Sequence, residues 1–243
     1  MINRNTSARR IVFTGVFLYA ALSSVAFGQK DGKQNVAATR AAAAAKALND
    51  IAALPADQSI PAELLAKAKV IAVFPDVTKI NALFQKAMKG SGFAIRRTET
   101  GWGNPVFYQF GVLDQGWTTM EAKSPALVIL YMTQASLDAF KQNQLEISVV
   151  AGPVGALPSD GKGSYDGVSR IGYGLFNGKL IGVKIETGDS IQSSMAGDNA
   201  MNKAIFGAKA TEIFWKADEV ATSVTEIKDL KTALEKLTSP KAQ

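Results

Sequence analysis

Cysteine and histidine are both absent from the 243 residues. Without cysteine no disulfide can staple an exported chain, so the hydrophobic core must carry the stability. A lipid anchor on an amino-terminal cysteine is excluded for the same reason. Without either residue the common zinc ligands are missing, and so are Ser-His-Asp and Cys-His nucleophile pairs. Carboxylate chemistry survives this filter, and so does binding without chemistry. A glycine-rich phosphate loop, a dinucleotide fingerprint and a nucleophile elbow are also missing. Neither sign of charge is in large excess, with 27 basic and 21 acidic residues. Three of the arginines, Arg4, Arg9 and Arg10, fall in the first 28 residues, and the remainder carries a net charge near +3. That balance suits a weakly anionic partner such as a membrane surface and argues against nucleic acid.

Long apolar runs are scarce as well. Ile11 to Leu22 is shorter than the ~20 residues of a membrane-spanning helix. With the arginines before it and Ser23, Ser24 and Ala26 after it, residues 1–28 read as a secretory signal peptide. The mature chain is then secreted, periplasmic or associated with the cell envelope. Retention of the segment as a membrane anchor is the other reading.

Alanine is the best helix former, and VAATRAAAAAKALNDIAAL predicts a helix over Val36–Leu54, ended by Pro55. Leu48, Ile51 and Leu54 give its second half a docking face. The alanine-rich first half either packs closely or lies on a partner. Ser59 reads as the N-cap of a second, short helix with Pro61 in its first turn. Lys69–Phe74, Val106–Val112 and Gly116–Met120 read as strands, and Ala126–Met132 as one buried on both faces. Ile80–Met88 fits a helical turn or a strand. The Gly90-Ser91-Gly92 turn before Phe93-Ala94-Ile95 favours a hairpin.

Ser136–Asn143 reads as a short helix. Leu145–Gly155 alternates as a strand and breaks into a stiff bend at Pro153, and Leu157–Val168 reads as a loop. Arg170–Phe176 and Lys179–Glu186 pair across Asn177-Gly178, the strongest two-residue hairpin signal. Asn199–Phe206 is a helix stopped by Gly207. Ser223 and Glu226 fit a capping box. Val220, Val224, Ile227, Leu230, Leu234 and Leu237 recur at threes and fours and give the C-terminal helix one apolar face. The pattern predicts an α+β protein: an antiparallel β-sheet or open barrel core, helices at both termini, and the helices to one side. The expected divisions are a signal at 1–28, a helical segment at 29–63, a central domain at 64–207 and C-terminal amphipathic helices at 208–243.

Few residues point to chemistry. Asp160–Asp166, DGKGSYD, sets two carboxylates in a glycine-rich loop but lacks the alternating ligands and terminal Glu of a calcium loop. A solvated loop is the plainer reading, and no metal or cofactor is expected. The cations Lys79, Lys86, Lys89, Arg96 and Arg97 flank the Gly90-Ser91-Gly92 turn. If that turn brings the two arms together, five cations share one end. Such a cluster attracts anionic head groups at about 1 kcal/mol per cation. The alternative is a solvated hairpin whose lysines block edge pairing. Trp102, Phe107, Tyr108, Phe110 and Trp117 follow at strand spacing and fit a core, although Trp and Tyr at a rim also suit a membrane interface.

Six segments then form an ordered set. Val73-Phe74-Pro75-Asp76-Val77-Thr78-Lys79 comes after Ala68-Lys69. Gly101-Trp102-Gly103-Asn104-Pro105-Val106-Phe107-Tyr108 follows, then Leu127–Met132 with Ser136–Phe140. Val149–Gly155, Gly174-Leu175-Phe176 with Leu180–Val183, and Asn199–Gly207 complete the set. In this order, over about Leu64 to Gly207, they resemble the SYLF domain family. Two departures stand out: Ile80–Lys89 has almost no glycine, and the glycine-rich strand after Phe107-Tyr108 is thinned to Gly111 and Gly116.

The resemblance implies lipid binding. Eukaryotic SYLF domains bind phosphoinositide-containing membranes, some bind and bundle actin, and bacterial members are usually exported single domains. The family has no established catalytic residues. The leading expectation is a non-enzymatic, exported domain that binds anionic phospholipid or a membrane surface. Lys79, Lys86, Lys89, Arg96, Arg97 and Trp102 are its lipid-binding candidates, with a neighbouring apolar surface or terminal helix for acyl chains. A structural or protein-interaction module of the envelope, using the terminal helices, is the second reading. An enzyme using carboxylates or hydroxyls of the 157–168 loop is the third.

Overall fold

The structure is a computed structural model, which describes residues 14–82, 85–114, 126–142, 150–152, 170–184 and 193–239. The expected strands at 116–120, the bend at Pro153 and the loops at 157–168 and 160–166 lie outside the described residues. The described strands are β1 (Val70–Ala82), β2 (Gln85–Thr98), β3 (Gly101–Trp102), β4 (Val106–Asp114), β5 (Ala126–Tyr131), β6 (Val150–Gly152), β7 (Arg170–Phe176), β8 (Lys179–Lys184) and β9 (Ser193–Gly197). The helices are α1 (Thr14–Ala52), α2 (Ala62–Lys67), α3 (Gln134–Gln142), α4 (Asn199–Phe206), α5 (Ala210–Phe214) and α6 (Thr225–Thr238). The fold is α+β, and its strands form an open antiparallel sheet. They run in the order β6-β8-β7-β5-β1-β2-β4-β9, with β3 added onto β2.

Strand alternation assigns side chains to two cores. Ile71, Val73, Phe93, Ile95, Phe107, Val128 and Leu130 face α1, α2 and α6. Val70, Phe74, Ala94, Tyr108, Ile129 and Tyr131 face the other way, onto Phe140 of α3 and Ile213 and Phe214 of α5. There Phe140 stacks on Phe214 with centroids 4.8 Å apart, and Tyr131 meets Phe140 edge-on at 4.9 Å. Helices therefore cover both faces. The expectation of helices on one side holds for α1 and α6. It fails for α3 and α5, because β5 is buried on both faces and its outer side needs a second layer.

The terminal helices pack on each other. Ala37, Ala41, Ala44, Leu48 and Ile51 of α1 recur at fours and threes and are buried. Ile227, Leu230, Leu234 and Leu237 of α6 do the same. Small alanines let the two backbones approach closely, so the alanine-rich half finds its partner within the chain. The apolar face of α6 is used up in this packing and does not offer itself to acyl chains or to another protein. The described part of α1 also starts earlier than expected, at Thr14. Among the described residues no helix is long and apolar enough to cross a membrane.

Two caps differ from expectation. Ser59 donates its hydroxyl to the carbonyl of Ile51 at 3.0 Å, closing the end of α1, while Pro61 stands at the N-cap of α2. Ser223 makes no capping box. Val224 is the N-cap of α6, and the Ser223 hydroxyl instead accepts from Gln34 Nε2 of α1 at 3.2 Å. In both cases a tertiary partner outcompetes the local one. The β7–β8 turn forms as expected, with Asn177 and Gly178 at φ 48° and 76°, the left-handed pair that a type I′ turn requires.

One irregularity organises the centre of the sheet. Val73 pairs with Phe93 and Asp76 with Ser91, so β1 carries one extra residue between them. Pro75 has no N–H to offer, and pairing of β1 with β5 stops at Phe74. Gly92 lies opposite. A β-carbon there would come within 2.0 Å of the Val73 carbonyl oxygen. The Gly90-Ser91-Gly92 stretch is thus the interior of β2, not a turn. The glycine serves close backbone approach, and β1 and β2 stay paired well beyond it, as far as Ala82 and Gln85.

Candidate functional site

The turn position decides the fate of the expected cation cluster. Lys89 and Arg96 are seven residues apart along one strand, or about 23 Å at ~3.3 Å per residue. Lys79 lies opposite Met88, and Lys86 opposite Asn81, towards the far end of the hairpin. Their side chains are not among those described. The five cations are therefore strung along the hairpin and not gathered at one end.

Arg96 and Arg97 point to opposite faces and are engaged in the fold. Arg96 donates from Nε to the Phe214 carbonyl at 3.1 Å and from Nη2 to that of Trp215 at 3.4 Å, at the end of α5. Its guanidinium lies 5.3 Å from the Trp215 ring centroid. Arg97 donates from Nε to Ala68 at 2.9 Å and from Nη2 to Leu65 at 2.6 Å. It takes up the free carbonyls at the end of α2. The same guanidinium sits 4.2 Å over Trp102, and burial lowers its pKa. Trp102 is 4% exposed and donates to Thr238 Oγ1 at 2.9 Å. These three candidates tie helices to the sheet.

Lys89 behaves differently. The extra residue in β1 reverses its alternation. Val77 joins the α5-side core, and Asp76 and Thr78 turn towards α1. They meet Lys89 and Ser91 of β2 on the same face, beneath Thr39 and Arg40 of α1. The result is an open cleft of about 620 Å³ between α1 and the sheet, within the ~300–1,000 Å³ of small-molecule sites. Apolar side chains continue into the α1–α6 core on one side of the bulge. On the other the same face carries polar ones.

Arg40 is the half-buried cation of this cleft, with its side chain 17% exposed. It sits three residues after Ala37 and four before Ala44, on the buried stripe of α1. Its Nη1 is 3.7 Å from Asp198 Oδ2, beyond hydrogen-bond distance, and among the described residues it has no hydrogen-bond acceptor. Asp198 is already engaged. It caps α4 by accepting from the Met201 N–H at 3.0 Å, and it accepts from Gln109 Nε2 at 2.6 Å. Buried Asn202 fixes this corner by pairing both amide atoms with the backbone of Phe107, at 3.0 and 2.9 Å. Burial lowers the Arg40 pKa, and Asp198 pushes it back up. An under-paired, desolvated guanidinium gains most from an added anion.

At the rim of the cleft, Val36 is 47% exposed, the one large hydrophobic side chain exposed among the described residues. Sequence reasoning missed Arg40, Asp76 and Asp198. For Arg40 a signal was present, a charge placed on an alanine stripe. For Asp76 there was none, because its direction follows from the bulge.

Compared with family models, characterised proteins and solved structures, the chain has no match.

Proposed function

We propose that the protein is a non-enzymatic domain that binds the anionic head groups of a membrane surface, of the SYLF kind its ordered motifs resemble. The observation that carries this reading is the cleft under α1, where Arg40 and Lys89 present two cations beside the exposed Val36. A phosphate entering there lies beside a guanidinium whose Nη1 lacks a hydrogen-bond acceptor among the described residues. Each cation close to an anionic surface contributes about 1 kcal/mol, and Val36 offers apolar contact next to the charge. The signal-like first 28 residues support action outside the cytoplasm, in the periplasm or at the envelope.

Co-sedimentation with vesicles tests the reading. Phosphatidylglycerol vesicles are expected to bind more than phosphatidylcholine vesicles, and added salt should weaken the difference. Lys89→Glu removes one attraction and adds one repulsion of about 1 kcal/mol each, so binding should fall about thirtyfold. Equal binding to anionic and neutral vesicles overturns the reading.

A further inference from the structure

The cleft holds a carboxylate as well as cations. Asp76 is exposed on the cleft side, and among the described residues it has no ion pair. It stands opposite Ser91, while Lys89, two residues back on β2, stands opposite Thr78. Asp76 and Lys89 are therefore diagonal neighbours on one face, about 7–8 Å apart. The two side chains form no ion pair with each other among the described residues, and their backbone spacing leaves room for the two ends of a short dipolar ligand. A site for phosphate alone would be weakened by this carboxylate, since like charges facing each other across an interface are costly. Thr39 and Ser91 add hydroxyls to the same lining.

Resting on the reading that the cleft takes a lipid head group, we propose that it selects a phosphoester bearing a primary amine, the ethanolamine head group of a phospholipid. The phosphate lies against Arg40 and Lys89, and the ammonium against Asp76. A primary ammonium donates charge-assisted hydrogen bonds to a carboxylate. The quaternary ammonium of choline has the same charge and no N–H to give, so ethanolamine is preferred over choline.

The test uses the full chain and vesicles with a fixed fraction of phosphatidylglycerol. The remaining lipid is phosphatidylcholine in one set and phosphatidylethanolamine in the other. Exchange of choline for ethanolamine should raise binding about threefold, the size of one exposed ion pair. Asp76→Asn should abolish that gain and, by removing a like charge, strengthen binding to phosphatidylglycerol–phosphatidylcholine vesicles, and an unchanged unfolding midpoint shows that the variant folds. Soluble phosphoethanolamine should compete, and phosphocholine should not. Binding to both vesicle sets without an ethanolamine gain, or a gain that survives Asp76→Asn, overturns the amine selectivity and leaves the membrane reading standing. Binding of soluble phosphoethanolamine with no vesicle binding overturns the membrane reading and leaves the amine selectivity standing.

Discussion

At one end of β2, Arg96 and Arg97 reach outward to the closing carbonyls of α5 and α2. At the other end, Lys89 reaches into an open cleft with no ion pair among the described residues. All three are cations on one strand, and Arg97 and Lys89 share a face. The difference lies in what is packed over each. A short helix ending above the strand leaves carbonyls without intrahelical partners, and a planar guanidinium satisfies two at once. Past the bulge no helix among the described residues ends over the strand. The middle of α1 passes there instead, its backbone groups already paired within the helix. Positive charge in a sequence is therefore a poor guide to a binding surface until the helix ends are located.

The largest expected effect tests the boundary between the two ends. Gly92→Ala forces a β-carbon into the backbone of the bulge, against Val73 and Phe74. It should cost about 3 kcal/mol in denaturant unfolding. A stable variant would mean that the bulge is not needed to turn Asp76 towards α1. Next comes Arg97→Ala, which leaves the carbonyls of Ala68 and Leu65 without their donor and removes the cation from Trp102. The expected loss is about 2 kcal/mol, with vesicle binding per folded molecule unchanged. Lys89→Ala should do the reverse: the unfolding midpoint stays, and binding falls about fivefold. If Arg97→Ala weakens binding while Lys89→Ala does not, the roles assigned to the two ends are exchanged.

The smallest effect sets both ends against the far face of the sheet. Burial pushes the phenols of Tyr108 and Tyr131 above their ordinary pKa. A raised phenol pKa favours the fold below about pH 10, and that contribution is lost as pH rises further. With no histidine or cysteine, stability should stay flat from about pH 6 to 9. The Tyr108 hydroxyl has no hydrogen-bond partner among the described residues. Tyr108→Phe should therefore leave the fold intact at neutral pH and shrink the alkaline loss. Urea midpoints across the pH range check both.

Several elements were legible because their signals are local. Asn177-Gly178 dictates its own turn, Gly207 its own helix stop, and the spacing of Ile227, Leu230, Leu234 and Leu237 its own buried stripe. Ser59 and Ser223 were misread because a hydroxyl serves whichever backbone or side chain comes near, and tertiary packing brought a different partner. The two glycines around Ser91 carry the composition of a turn and the geometry of a bulge crossing. Only the neighbouring strand separates the two, since the clash at Gly92 is with Val73 and Phe74, some twenty residues away in the chain.

The class of the fold, the elements with their own start and stop chemistry, and the chemistries ruled out by missing residues all follow from the order of amino acids. Which cations are spent and which are available follows from packing. A guanidinium over helix carbonyls and a lysine in an open cleft have the same charge. What differs is the set of partners that distant segments bring within about 3 Å, the reach of a hydrogen bond.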